Sequence, residues 1–225
     1  MASNPRTRVG PSARLVGILA LLCATAAASL VFVSHAAADA ALRNPVPDAG
    51  HELGMYGDPA AAAAHWRQQH DSDCGEMAVA DVVGQITGHQ PTEEQITALA
   101  ESTTSTVGSG KIWTPPGNTN IRDLPVLLWH YWINAENIQT TTNALEQDLA
   151  ENRKVIVILN AETIWNRPGR RDSANHFVVV TGIDTKTAVV HLNDNGVEAG
   201  RDEQIPMATF ERAWATNHNS AVVTK

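Results

Sequence analysis

The chain has 225 residues, with 24 Asp and Glu against 16 Lys and Arg and a formal charge of −8. A net acidic surface without clustered Lys and Arg excludes nucleic acid as the partner and argues equally against an anionic membrane surface. Two cysteines, Cys23 and Cys74, bound any disulfide to one pair.

In chain order, residues 1–14 carry Arg6, Arg8 and Arg14 and no acid, and Leu15–Val33 is apolar or small apart from Cys23, Thr25 and Ser29. Ser34-His35-Ala36-Ala37-Ala38 follows. A basic start, an apolar run and a small-residue site make a secretory signal over residues 1–38, with cleavage expected after Ala38. The alternative is an uncleaved anchor, since a run of that length just spans a bilayer. Membrane contact is expected only through such an anchor. Cys23 is discounted as a lipid-anchor site because Leu22, not a small residue, precedes it. Residues 39–63, rich in Pro and Gly until the alanine run, read as a lead-in linker or propeptide. Residues 64–225 are long enough for one domain with a real core.

Met77, Val79, Ala80, Val83 and Ile86 recur at helical spacing and predict a helix from Cys74 to Thr87, stopped by Gly88. Thr92 and Gln95 match a capping box that opens a second helix. Residues 102–120 read as a surface loop, 120–133 as a helix with Pro125 near its first turn, and 142–152 as another short helix. Val155–Leu159 is an apolar strand, and residues 160–174 a polar loop. His176–Ile183 and Thr187–Asp194 form a hairpin, followed by a helix at 207–215 and a strand at 221–224. Helices first and an antiparallel sheet after make an α+β domain.

Cys74 is left unpaired once the signal is set aside, and an exported cysteine without a partner points to a thiol kept for its reactivity or to intermolecular pairing. It heads a helix, where unsatisfied backbone N–H groups favour an anionic sulfur. Gln68, six residues upstream, is placed to fold its amide back and donate to an oxyanion together with the Cys74 N–H. The competing reading is a buried helical cysteine packed as a small hydrophobe. A turn centred on Thr185 sets Val180 opposite Val190, Val178 opposite Leu192 and His176 opposite Asp194, so one sheet face ends in a His–Asp pair. Alternation puts Asn193 and His191 on the other face. His65, His70 and Cys74 match no structural zinc spacing. Trp113, Trp129, Trp132 and Trp165 are candidates for core or groove, with the loop residues Trp113 and Trp165 favoured for the groove. Arg170-Arg171 reads as a solvated loop, or as a steering element for an acidic peptide.

DCGEMAVADVVGQITG (Asp73–Gly88) with Gln68 upstream, NHFVVVTGID (Asn175–Asp184) and VVHLND (Val189–Asp194) resemble cysteine peptidase family 39. These are papain-like enzymes related to the double-glycine peptidases that process bacteriocin leaders. The resemblance extends over about residues 64–225 and implies a papain-like cysteine peptidase fold. It also implies Cys74 as nucleophile, His176 as general base, Asp194 as its orienter and Gln68 as oxyanion donor. Asn195 stands where the family often has proline. The expected activity is hydrolysis of peptide bonds by an exported, stand-alone enzyme that needs no cofactor or metal. A cell-wall peptide amidase, a transglutaminase-like acyl transferase and a non-catalytic peptide-binding module are alternatives on the same fold.

Overall fold

Val155–Leu159 is apolar at every position, so both faces of the sheet that contains it need a covering layer. The computed structural model describes residues 54–117 and 119–225. The expected signal and the expected cleavage site fall outside these residues, as does most of the lead-in. The elements are β1 (Met55–Gly57), α1 (Pro59–Ala62), α2 (Cys74–Thr87), α3 (Glu93–Ser102), α4 (Leu124–Trp129), β2 (Ala135–Gln139) and α5 (Thr142–Ala150). There follow β3 (Val155–Leu159), α6 (Ala161–Ile164), β4 (His176–Asp184), β5 (Val189–Asn193), β6 (Glu203–Pro206), α7 (Met207–Trp214) and β7 (Ser220–Thr224). The sheet runs β2-β7-β3-β4-β5-β6, and the described strand pairings are antiparallel.

Alternation along the strands sorts the core into two halves. Ile156, Phe177, Val179 and Val222 face α2, α3 and α4. Val155, Val157, Leu159, Val178 and Val180 face the opposite way, onto α5 and α7 with Phe210 and Trp214. The α+β expectation therefore holds, and the second layer explains why β3 and β4 carry almost no polar residue. Local signals set the first helices: α3 begins with the Thr92–Gln95 capping box, and α2 ends at Gly88.

Four expectations are corrected. The lead-in joins the domain: β1 pairs with Gly182–Asp184, the part of β4 beyond its contact with β3 at His176–Val180. The helix expected over 120–133 is a 3-10 turn at Ile121–Asp123 followed by the short α4, and the chain then reverses through Trp132 at φ 61°. Strand β2, unseen in the sequence, comes next; it is an edge strand paired only with β7 and has little of the β-branched composition that marks strands. The loop expected over 160–174 contains α6, capped by Asn160, whose Oδ1 accepts from the Thr163 N–H at 2.9 Å.

The fourth correction is the register of the β4–β5 hairpin. Ile183 pairs with Val190 and Gly182 with His191; after a shift the pairing continues as Val180 with Leu192 and Val179 with Asn193. The turn begins later than expected because the Asp184 carboxylate accepts from the N–H groups of Lys186 and Thr187 and starts it there. The irregularity between Val180 and Gly182 then inserts Thr181 as an extra residue. The two displacements leave the parity intact, so Asp194 still shares a face with His176, but diagonally rather than directly opposite.

Candidate active site

Cys74 is the first residue of α2 and is half-buried. The residue after it decides how near α2 comes to the sheet. A Cβ on Gly75 would lie 3.2 Å from the Phe177 ring and 3.4 Å from Leu124, tighter than side chains usually pack. Glycine there lets the start of α2 rest on β4 beside His176.

His176 is the first residue of β4 and is 4% exposed; Asp194, just past β5, is fully buried. The Asp194 Oδ1 lies 2.6 Å from His176 Nε2. The same oxygen accepts from the Gly196 N–H at 2.8 Å, and Oδ2 accepts from Trp165 Nε1 at 2.7 Å. With Nε2 engaged, Nδ1 is the ring nitrogen left to face Cys74, whose sulfur is near enough to act on the imidazole. The Trp165 ring packs on the imidazole with centroids 5.0 Å apart. A Cβ on Gly196 would come 2.8 Å from His176 Cε1 and 2.9 Å from Trp165 Cζ2, so the turn after Asp194 closes only around glycine. Asn193 points elsewhere: its Nδ2 donates to the Ala62 carbonyl and to the Asp81 carboxylate, both at 2.8 Å.

The turn after β5 also organises the loop before α2. Trp66 Nε1 donates to the Asp194 carbonyl at 2.6 Å, the Gln69 N–H donates to the Asn195 carbonyl at 2.9 Å, and Asn195 Nδ2 donates to the Cys74 carbonyl at 2.9 Å. This pinning corrects the position expected for the glutamine. Gln68 is exposed, whereas Gln69 is drawn inward and lines the cleft with Cys74 and His176. Gln69 Nε2 donates to the Asp71 carbonyl at 2.7 Å, which leaves one amide hydrogen. Nothing in the local sequence separates Gln69 from Gln68. Trp66, Asn195 and Gly196 were not among the site residues expected from sequence, although the run Asn193-Asp194-Asn195-Gly196 carried a turn signal.

Burial works against every charge here, and the partners decide the outcome. Burial lowers the His176 pKa, but its hydrogen bond to the Asp194 carboxylate and the neighbouring Cys74 outweigh it and raise it to about 10. Burial opposes ionisation of Asp194 too, yet His176, Trp165 and the Gly196 N–H hold its carboxyl below the usual range. Three nearby carboxyls go the other way. Asp73 is pushed up to about 7 by burial and by Glu93, and Glu76 to about 7 by burial, with Thr119 opposing. Glu203 is pushed up to about 8 by burial and by the charge of Asp194. Of these four carboxyls, Asp194 is the one whose surroundings favour the charged form, and it in turn favours the protonated form of His176.

The cleft in front of these residues encloses about 490 Å³, with Gln69, Cys74, Glu76, Thr119, Trp165 and His176 in its lining. Trp165 belongs to it, as expected. Trp113 does not: it is buried, donates from Nε1 to the Ser72 carbonyl at 3.0 Å, and backs the loop that leads to Cys74. Trp129 and Trp132 are exposed on the surface, 52% and 82%, and belong to neither core nor cleft. His191 pairs with Asp202 and His70 with Glu93, away from the thiol. Among the described residues no group of three or more His, Cys, Asp and Glu is arranged to hold a metal ion.

Comparison with known proteins bears on the family and the fold. The model of the Peptidase_C39-like family matches residues 54–222. Uncharacterized proteins of Mycobacterium tuberculosis and Mycobacterium bovis are each 48% identical over 195 residues, covering 76% of this chain and 84% of theirs. A solved structure from Bacillus anthracis, assigned to the C39-like peptidases, superimposes with a TM-score of 0.58 at 18% identity over 76% of this chain and 97% of that one. That likeness is one of fold. With the match running through α2, β4 and β5, the chain belongs to the C39-like peptidase family and has its α+β, papain-like fold.

Proposed function

We propose that the protein is an exported cysteine peptidase whose nucleophile is Cys74, whose general acid and base is His176 and whose orienting acid is Asp194. The observation that supports this most is the 2.6 Å contact between the buried Asp194 and His176 in the cleft that also holds the Cys74 thiol. The chemistry follows from the charges. His176, held by Asp194 beside Cys74, takes up the thiol proton as the sulfur attacks a peptide carbonyl. The carbon–sulfur bond forms, the carbonyl electrons move onto oxygen, and that oxyanion takes hydrogen bonds from the Cys74 N–H and from the free amide hydrogen of Gln69. Collapse breaks the carbon–nitrogen bond, and the proton on His176 goes to the leaving amine. Neutral His176 then takes a proton from water, which attacks the thioester and releases the acid. Asp194 holds the ring throughout without itself being protonated.

Export rests on the basic, apolar and small-residue segments of residues 1–38. N-terminal sequencing of protein recovered outside the cytoplasm is expected to begin near Asp39; intact, soluble Met1–Lys225 in the cytoplasm would contradict export.

Two measurements test the roles. Gln69→Ala is expected to lower kcat by ~10²-fold, the scale of one oxyanion donor, with little change in KM. Gln68→Ala, on the exposed side of the loop, is expected to be nearly silent, and the reverse order would return the donor role to Gln68. The second is a pH profile. Activity needs the imidazolium as acid, so it is expected to fall as pH rises through about 10. Asp194→Asn keeps a hydrogen-bond acceptor but removes the charge, and is expected to move that alkaline limb down by about 1–3 units. An unmoved limb would mean that Asp194 does not set the charge of His176.

A further inference from the structure

Glu76 sits two residues after the nucleophile, lines the same cleft as Cys74, and has no exposed surface. One carboxylate oxygen, Oε1, accepts from the Thr119 hydroxyl. The other, Oε2, is buried and has no hydrogen-bond partner. Apart from its own backbone, the groups that act on it are the Thr119 hydroxyl and the acid Asp73, so no cation neutralises it. The lining of the cleft carries Glu76 and Glu162 but no Lys or Arg, and its histidine, His176, is already paired with Asp194. Glu162 is already held by Asn160 and Asn175 and feels Arg171, and Arg170 pairs with Asp172. Arg167 lies over the Trp165 ring, 4.8 Å from its centroid. These arginines all lie on the loop beyond α6, whereas Glu76 lies with Thr119 and Gly117 on the α2 side.

A buried carboxyl with an unused acceptor is costly unless something completes it. Its surroundings describe what would. Ile158 and Phe177 supply apolar surface in the cleft, suited to a chain of methylene groups, while Glu76 and Thr119 supply acceptors for a charged head. We infer that Glu76 is a specificity-determining residue: the cleft accepts a substrate with a basic side chain, lysine-like or arginine-like, whose cationic head pairs with its carboxylate. This rests on the cleft being the peptidase site proposed above, and it replaces the idea that the Arg170-Arg171 loop attracts an acidic peptide. Binding of a cation favours the ionised form of Glu76, which its burial otherwise disfavours.

The test has two arms on the purified full chain. In the first, peptides that differ at a single position between lysine and norleucine, which share a stem, are compared by kcat/KM at each position around the scissile bond. At one position lysine is expected to be favoured by about tenfold, the effect of one charge-assisted pair, and Glu76→Gln is expected to remove that preference. In the second arm, Cys74 is labelled with aminoethyl methanethiosulfonate, which is cationic, and with neutral methyl methanethiosulfonate. The ratio of the two rates cancels the intrinsic reactivity of the thiol. It is expected to exceed the ratio for free cysteine and to fall by about tenfold in Glu76→Gln. Should Glu76→Gln fail to fold, Glu76→Leu replaces it, since an apolar side chain of similar size leaves no buried acceptor unsatisfied. A cation ratio that falls while no peptide is cut would sustain the cationic site and sink only the peptidase reading. Peptides cut without a lysine preference, or a ratio unchanged by either variant, would overturn the role of Glu76.

Discussion

A buried carboxylate with all its demands met holds this site together. Asp194 has no exposed surface, and an isolated charge in such a place is far too costly to persist. It persists because three N–H groups from three parts of the chain converge on it: His176 from the head of β4, Trp165 from the end of α6, and Gly196 from its own turn. The same turn then reaches the loop before α2 through Trp66 and Gln69, and α2 itself through Asn195. Removing the Asp194 side chain would therefore leave His176 and Trp165 without their partner, in the turn that holds the start of α2.

The second constraint is the approach of α2 to the sheet. Cys74 is on the helical layer and His176 on the strand layer, so their contact depends on the distance between layers. Gly75 against Phe177 permits the approach, and the apolar face formed by Met77, Ala78 and Val82 with Ile156 and Val179 keeps it closed. The carboxyl-rich surroundings belong to the same design. Asp73, Glu76 and Glu203 are all made harder to ionise by burial, whereas the partners of Asp194 favour its charged form.

What could be read from the sequence was what depends on near neighbours along the chain. The limits of α2, the capping box of α3 and the apolar strand β3 follow from periodicity, caps and composition within a few residues. The positions of Cys74, His176 and Asp194 were legible because each sits at the end of such an element. The register of β4 on β5 was not, because an Asp184 side-chain turn and the extra residue Thr181 both act on it. Only the preservation of parity kept Asp194 on the right face. Gln68 and Gln69 cannot be told apart locally; the bond from the Gln69 N–H to Asn195, 126 positions away in sequence, decides which one turns inward. Strand β2 was invisible because its place is made by β7, not by its own residues.

The account depends most on Cys74, His176 and Asp194 working as one unit in an accessible cleft. The most direct measurement is the rate at which iodoacetamide alkylates Cys74 in the folded protein near neutral pH, in the unmodified chain and in His176→Ala. The expected result is native-state labelling faster than that of free cysteine, slowed by about tenfold or more when His176 is removed. Labelling that requires denaturant, or that proceeds at the same rate without His176, would mean that Cys74 is a packing residue and that the unit does not exist.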